Sequence, residues 1–270
     1  MNPNKDLWEK GDFTKIAEMM RGSGQSLVDG IDKHLPMRVL DLGCGDGTTA
    51  VPLAKYGAEV LGVDISRYLV EAGNRRAVAD GLSNLHFQEG DACQLDGLAD
   101  GSFDLTLSVF GAMFAPRPFD VAKEMVRVTK RGGQIVMGNW IPNDPTSFVS
   151  QVLKISAAFV PPPPEGFISP MTWGVESNVL ERFGKAGVPE QNISMVKDTF
   201  FFSGAATTDQ MIDIFKNFYS PTMNAFEAAG KNGRDQELLT QLLELAHAHN
   251  KSSDGATRIG STFLKITVHI

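Results

Sequence analysis

The stretch DLGCGDG, residues 41–47, determines how this chain folds. It follows the apolar run MRVL and precedes a helical pattern, which predicts a tight turn from a strand into a helix. Its glycines allow the backbone to approach a bound molecule closely, and a helix start presents unpaired N–H groups. The spacing is G-x-G-x-G instead of the G-x-G-x-x-G of dinucleotide-binding folds, and Asp41 and Asp46 place carboxylates at the turn. Because these carboxylates would repel a pyrophosphate, the turn favours a ligand that carries positive charge.

Outward from this turn, the chain alternates short apolar runs with helical patterns between about residues 37 and 137. Apolar runs of about four to eight residues, bounded by Gly, Asp or Asn, are typical of strands buried on both faces of a parallel sheet. Such alternation implies right-handed crossovers and predicts an α/β fold with a doubly wound sheet. The runs are MRVLDLG, AEVLGVD, NLHFQEGD, SFDLTLSVF and GQIVMGN.

Helices are predicted between these strands, from Gly47 to about Gly57, over residues 66–80, and from Pro118 to the pair Gly132-Gly133. Ahead of the sheet, residues 5–20 and 25–34 predict two amphipathic helices. The helix that begins at Pro118 is predicted to bury one face, formed by Phe119, Ala122, Met125 and Val126.

We expect a single domain over residues 1–270, because no internal repeat divides the chain. Two segments interrupt the strand–helix rhythm: residues 141–174, which include four consecutive prolines, and residues 204–260, where two helices are predicted. A strand-like run from Ile193 and the final run STFLKITVHI predict the last strands. Ligands bind beyond the carboxyl ends of the strands in such sheets, and we expect both segments to be lid insertions over the active site. The remaining parts are N-terminal helices at 1–35 and a cofactor-binding core at 36–140.

Acidic residues follow the second and third predicted strands. Asp64 ends the run VLGVD, where a carboxylate can accept hydrogen bonds from both hydroxyls of a ribose. Charge-assisted bonds of this kind are worth roughly 1.5–3 kcal/mol each. In EGDA, Asp91 can accept from the exocyclic amine of adenine while the N–H of Ala92 donates to the ring. Either aspartate alone also suits a helix N-cap, but together with the glycine turn they indicate an adenosine site.

The motifs DLGCGDG, VLGVD, EGDA, SFDLTLSVF and RVTKRGGQIVMGNW together resemble the class I S-adenosylmethionine-dependent methyltransferases of the type 11, ubiquinone-biosynthesis-like group. The resemblance covers about residues 38–140, with the motifs in the usual order. It implies a Rossmann-like seven-stranded sheet in the order 3-2-1-4-5-7-6, with strand 7 antiparallel. It also implies methyl transfer with S-adenosyl-L-methionine as the cofactor.

By this resemblance, the turns that follow the first four strands hold the cofactor. No metal ion is implied, and the two cysteines, Cys44 and Cys93, are too few for a zinc site. The resemblance assigns Asp41, Gly43 and Gly45 to the methionine half of the cofactor, Asp64 to the ribose, Ile65, Asp91 and Ala92 to the adenine, and the carbonyl of Ser108 to the ammonium group.

Methyl transfer from a sulfonium is an in-line displacement, so the protein must align the acceptor and exclude water. A base is needed only for an acceptor that arrives protonated, and none of the five histidines is singled out, so the catalytic residue remains open. Aromatic residues in the N-terminal helices and the insertions predict a pocket for a small, apolar or aromatic molecule, methylated on oxygen, nitrogen or carbon. The favoured pocket residues are Phe13, Trp140, Phe167 and Trp173, and further candidates are Trp8, Phe148, Phe159, Phe218 and Tyr219.

Composition narrows the range of partners. The chain has 25 Lys and Arg against 32 Asp and Glu, and no basic stripe that could neutralise the phosphates of a nucleic acid. No apolar run approaches the roughly 20 residues that a membrane span needs, and the opening MNPNKDLWEKGDF lacks the pattern of a secretion signal. We therefore expect a cytoplasmic enzyme with a small-molecule substrate and no membrane partner, while its oligomeric state stays open. Two alternatives remain: a non-catalytic S-adenosylmethionine-binding scaffold and a nucleotide-dependent oxidoreductase.

Overall fold

A seven-stranded sheet in the order β3-β2-β1-β4-β5-β7-β6 forms the centre of the computed structural model, which describes residues 4–270. Strands β1 to β5 pair in parallel, and β7 runs antiparallel to both β5 and β6. The predicted strand order, with its antiparallel strand 7, is confirmed. The strands are β1 (Arg38–Leu42), β2 (Glu59–Asp64), β3 (Leu85–Glu89), β4 (Phe103–Val109), β5 (Thr129–Trp140), β6 (Ile193–Gly204) and β7 (Thr257–His269).

Helices cover both faces of the sheet. The side chains of β1 and β4 are almost all buried, as the continuous apolar runs predicted. Helices α4 and α5 pack beside β2 and β3, and α6 packs on β4 and β5. The helices are α1 (Lys5–Glu9), α2 (Phe13–Glu18), α3 (Arg21–Asp29), α4 (Ala50–Lys55), α5 (Arg67–Ala79), α6 (Pro118–Val128), α7 (Phe148–Ala157), α8 (Glu176–Lys185), α9 (Thr208–Phe218), α10 (Ser220–Lys231) and α11 (Asp235–His249).

The predicted end of α6 at Gly132-Gly133 is wrong. The helix ends at Val128, and Thr129 already pairs with Phe103 in the sheet. The hydroxyl of Thr129 donates to the Met125 carbonyl at 2.6 Å, which satisfies one of the last carbonyls of the helix. The prediction that Phe119 is buried is also wrong, because its ring is exposed and lies under the ammonium group of Lys185.

The N-terminal region forms three short helices instead of the two predicted ones. The predicted helix over residues 5–20 is interrupted before Phe13, because the Asp12 carboxylate accepts from the Thr14 N–H at 3.1 Å and starts α2 there. Gly11 passes so close to α9 that a Cβ on it would lie 2.6 Å from the Phe218 carbonyl oxygen. The second predicted helix, at 25–34, begins earlier and ends earlier, as α3.

The insertion at residues 141–174 contains α7 and a 3-10 turn, Pro170–Gly174, and its prolines at 161–164 are exposed. Residues 204–260 hold three helices, α9 to α11, where two were predicted. Helices α7, α9, α10 and α11 pack against one another, and α7 also packs on β7. The N-terminal α1 and α2 contact α10 and α9, so the first and last helices of the chain meet on one side of the sheet.

The segments that follow β1 and β4 touch through their backbones. A Cβ on Gly111 would lie 2.1 Å from the Gly43 carbonyl oxygen, and one on Gly43, whose φ is +67°, would lie 2.7 Å from Gly111 atoms. The Ser108 hydroxyl joins the same two segments, because it donates to the Leu42 carbonyl at 2.6 Å and accepts from the Ala112 N–H at 2.9 Å. The carboxyl ends of the two central strands are thereby held together.

A buried carboxylate lies immediately behind the glycine turn. Asp41 in β1 is 1% exposed and accepts a hydrogen bond from the Thr49 hydroxyl at 2.6 Å, at the start of α4. Burial raises the pKa of this carboxyl to about 7. The side chain thus supports the turn from inside the core.

We predict that Gly111→Ala destabilises the protein by about 1–3 kcal/mol, because the added methyl group overlaps the Gly43 backbone and the two segments must separate. Gly184→Ala in α8 is the matched control, since a Cβ there meets no atom within 4 Å and alanine is the better helix former by about 1 kcal/mol. Urea unfolding followed by circular dichroism measures both. A Gly111→Ala variant as stable as the parent would show that the two backbones are not in contact.

We also predict that Asp41→Asn changes how stability depends on pH. The carboxyl has a folded-state pKa of about 7 against an ordinary value of 3.8, so between these values the folded protein binds more protons than the unfolded chain. Stability from this group is therefore lost as pH rises through that window, by about 1.4 kcal/mol per pH unit, and Asp41→Asn removes the loss. Unfolding free energies measured from pH 4.5 to 7.5 test this, with Asp213→Asn on the exposed surface of α9 as control. A constant difference between parent and Asp41→Asn across this range would contradict the assignment.

Candidate active site

A cavity of about 930 Å³ opens at the carboxyl ends of the central strands. We call it the cofactor cavity; the turns after β1, β2, β3 and β4 line it, together with the N-terminal helices and Phe200 of β6. Of the residues predicted to hold the cofactor, those that line this cavity are Gly43, Gly45, Asp64, Ile65 and Ala92.

Asp64, at the tip of β2, is the central acidic group of this cavity. Its side chain is 8% exposed and accepts from the Gly45 N–H at 2.8 Å and from the Ser66 N–H at 2.9 Å. Burial raises the pKa of the carboxyl, although these backbone donors oppose the shift. No Lys, Arg or His of residues 4–270 forms an ion pair with it. Asp64 is therefore an unneutralised acceptor, positioned by the glycine turn itself.

Asp46 behaves differently from what its position in the glycine turn suggested. Its buried carboxylate forms ion pairs with Arg21 of α3 and with Arg76 of α5. The Arg76 guanidinium also donates to the Asp46 carbonyl at 2.6 Å. The Asp46 charge, which the sequence suggested would repel a pyrophosphate, is thus neutralised by two arginines. The two ion pairs attach the glycine turn to α3 and α5.

Asp41, Asp91 and Ser108 are not among the residues that line the cofactor cavity. Asp41 lies behind the turn, as described above. Asp91 follows β3 and accepts from the Cys93 N–H at 2.8 Å, and it borders a separate shallow groove. The side chain of Ser108 is used between β1 and β4. The predicted adenine contact of Asp91 and the ammonium contact of the Ser108 carbonyl stay predictions.

A second, smaller cavity adjoins the first. We call it the aromatic chamber. The two cavities are adjacent, because Trp8, Phe13, Met20, Phe110 and Phe114 line both of them. No charged side chain of the described residues lines the chamber. Its lining consists of Trp8, Phe13, Ile16, Met20, Phe110, Phe114, Trp140, Val149, Phe202, Phe215 and Tyr219.

Among the favoured pocket residues, Phe13 and Trp140 line the aromatic chamber, whereas Phe167 and Trp173 do not. Phe167 is 54% exposed. Trp173 is fully buried beneath the Arg182 guanidinium, 4.5 Å from its ring, because the turn Pro170–Gly174 packs directly under the end of β5. The insertion at 141–174 reaches the chamber through Val149 of α7.

The additional aromatic candidates also divide between lining and packing. Trp8 and Tyr219 line the chamber. Phe148 is buried against Phe202 and Phe215, and Phe159 is buried beneath Arg234. Phe218 is partly buried near the end of α9. The insertion at 204–260 contributes Phe215 and Tyr219 to the chamber.

Phe110 is the most important lining residue that sequence reasoning missed. It follows β4, at the sheet edge where such folds bind ligands, and this position is the signal that could have identified it. Its φ is +61°, a backbone conformation that costs about 1–3 kcal/mol for a residue other than glycine. The strained backbone is accompanied by ring stacking on Trp140, with a centroid separation of 3.6 Å and an interplanar angle of 7°. Phe110 thereby forms the wall between the two cavities.

Basic side chains are absent from the lining of both cavities in the described part of the chain. Neither lining includes a histidine, lysine or arginine. Within residues 4–270, no cluster of His, Cys, Asp and Glu could hold a metal ion, and no helix is long and apolar enough to cross a membrane.

Comparison with known proteins agrees with this geometry. A family model described as "Methyltransferase domain" matches residues 40–137. The chain is 34% identical to the uncharacterized protein Rv1403c of Mycobacterium tuberculosis over 228 residues, which are 83% of this chain and 80% of that protein. It is 30% identical to a demethylmenaquinone methyltransferase of Paenarthrobacter aurescens over 172 residues, 60% of this chain and 66% of that protein.

The fold is similar to that of the YcgJ protein of Bacillus subtilis, with a TM-score of 0.58 at 19% identity over 91% of this chain and 97% of that chain. The family-model match and the demethylmenaquinone methyltransferase relative support S-adenosylmethionine as the cofactor and favour a methyltransferase over the nucleotide-dependent oxidoreductase considered above. The chain belongs to the class I S-adenosylmethionine-dependent methyltransferases of the type 11 group.

Proposed function

We propose that this methyltransferase acts on a small, uncharged, apolar or aromatic molecule held in the aromatic chamber. One observation carries the proposal: the chamber adjoins the cofactor cavity through Phe13, Met20 and Phe110, and no charged side chain of the described residues lines it. Burying a charged acceptor among apolar rings without a counter-ion is costly, whereas an apolar acceptor gains from the same burial.

The cofactor cavity has the groups that S-adenosylmethionine needs. In this proposal Asp64 accepts from the ribose hydroxyls, Ile65 covers one face of the adenine, and the Ala92 N–H donates to the adenine ring. Gly43 and Gly45 line the methionine half, and all five residues line the cofactor cavity. When bound, the cofactor supplies an electrophilic methyl group for in-line displacement. The unneutralised carboxylate of Asp64 suits a ligand with net positive charge.

The protein's own contribution is positioning and exclusion of water. The rings of Phe13 and Phe110 line both cavities, so they contact the acceptor and can face the positive sulfonium with their π-surfaces. Within the described residues, no histidine or lysine lines the chamber that could remove a proton from the acceptor. The acceptor atom is therefore one that reacts without a base from the protein, such as a nucleophilic carbon of an uncharged ring.

Similarity to other enzymes supports an aromatic acceptor. The relative from Paenarthrobacter aurescens is named for demethylmenaquinone, and it is 30% identical to this chain. The similarity suggests an aromatic acceptor for this chain, and the apolar lining of the chamber supports the same acceptor class independently.

We predict that a radiolabelled methyl-transfer screen finds acceptors among uncharged phenols, quinols and aromatic heterocycles. Carboxylated and phosphorylated analogues of the same rings are expected to be at least tenfold poorer, because the chamber offers no cation to them. Label transferred to the charged analogues in preference to the neutral ones would overturn the proposed acceptor class. Transfer to none of them, while S-adenosylhomocysteine binds, would favour a non-catalytic scaffold.

We predict that Asp64→Ala weakens S-adenosylhomocysteine binding at least tenfold, a loss of about 1.4 kcal/mol or more, because the ribose acceptor is removed. Asp80→Ala is the matched control, since Asp80 is an exposed carboxylate that pairs with Lys55 outside the cavity. Calorimetric titration gives both affinities, and thermal unfolding confirms that the variants are folded. Unchanged affinity in a folded Asp64→Ala protein would show that another group holds the ribose.

A further inference from the structure

The aromatic chamber contains one hydroxyl group. Tyr219 lies between α9 and α10, its side chain is 4% exposed, and it lines the chamber. Its ring packs against Phe215, Phe13 and Trp8, with centroid separations of 5.3, 6.3 and 6.4 Å. Contacts from three separate segments therefore hold the ring, and the position of its hydroxyl is set by the fold.

This hydroxyl forms no hydrogen bond within residues 4–270, and its oxygen is not among the fully enclosed unpaired polar atoms of the fold. A molecule that fills the chamber would enclose this hydroxyl, and leaving it unpaired there would cost about 1–3 kcal/mol. Burial raises the pKa of Tyr219, so the group stays protonated and can donate at neutral pH. The residue that carries this donor lines the space that the proposed function gives to the acceptor.

The other polar side-chain atoms of the chamber are the indole N–H groups of Trp8 and Trp140, which are also donors. With no lysine or arginine in the described lining, these donors can satisfy the lone pairs of an uncharged oxygen but cannot neutralise a carboxylate or a phosphate. The chamber is thus matched to an aromatic molecule with a neutral oxygen on its ring.

We propose that the acceptor carries an uncharged oxygen, phenolic or quinone-like, that accepts a hydrogen bond from the Tyr219 hydroxyl, and that Tyr219 selects such acceptors over plain hydrocarbons. This inference rests on the proposed function, because it takes the aromatic chamber as the acceptor site. Tyr219 is a specificity residue that contacts the substrate and takes no part in the displacement itself.

The test is a calorimetric titration of the enzyme saturated with S-adenosylhomocysteine, using three probes of one ring size. These are 2-naphthol, which has a neutral oxygen, 2-fluoronaphthalene, which lacks the hydroxyl, and 2-naphthyl phosphate, which is charged. Wild type is expected to prefer 2-naphthol over 2-fluoronaphthalene at least fivefold and to bind the phosphate weakest. Tyr219→Phe keeps the ring and is expected to lose most of this preference while its affinity for 2-fluoronaphthalene stays within twofold of wild type.

Tyr68→Phe is the matched control, because Tyr68 is an exposed tyrosine that lines neither cavity, and it should keep the wild-type preference. An intact preference for 2-naphthol in Tyr219→Phe overturns the role of Tyr219 and leaves the chamber assignment in place. Failure of all three probes to bind wild type that binds S-adenosylhomocysteine overturns the chamber as the acceptor site. Binding of the phosphate as tightly as 2-naphthol overturns the selection for an uncharged oxygen.

Discussion

The carboxyl ends of β1 and β4 can meet only because Gly43 and Gly111 have no side chains. A Cβ at either position would overlap the backbone of the other segment. This contact closes the floor of the site at the switch point of the sheet, where the strand order reverses and the connections diverge to opposite faces. Both cavities lie above it, and the backbone N–H that holds Asp64 belongs to the same glycine turn.

Of the carboxylates around this floor, Asp46 is neutralised by ion pairs and Asp64 is not. Asp46 is paired with two arginines from different helices, which fixes the turn and removes its charge from the ligand's surroundings. Burial raises the pKa of Asp41 to about 7, and its carboxyl group holds the glycine turn by accepting from the Thr49 hydroxyl. Asp64 is the remaining carboxylate, held by backbone donors without a cation. A site with one uncompensated negative group suits a cofactor with net positive charge.

The aromatic chamber is assembled from parts of the chain that are far apart in sequence. Trp8 and Phe13 come from the N-terminal helices, Phe110 from the end of β4, and Tyr219 from the helices of the second insertion. Edge-to-face and stacked contacts between these rings, each worth about 0.5–1.5 kcal/mol beyond burial, hold the parts together. The chamber therefore exists only when the N-terminal helices and the insertion have packed on the sheet.

The sequence alone determined the five parallel strands and the carboxylate at the tip of the second one, because these depend on local signals such as apolar runs and an acidic residue at a strand end. The strand order and the cofactor class followed from the resemblance that the ordered motifs carry. It also indicated an aromatic pocket and two of its favoured residues, Phe13 and Trp140. Only the tertiary structure decided that Phe167 is exposed, that Trp173 packs under Arg182, and that Asp46 is neutralised. The positive φ of Phe110 and the unpaired hydroxyl of Tyr219 were also decided only by the tertiary structure. The sequence contains the same aromatic residues whether a ring lines a cavity or fills the core. Which of the two occurs depends on contacts between distant segments, and local sequence patterns do not encode those contacts.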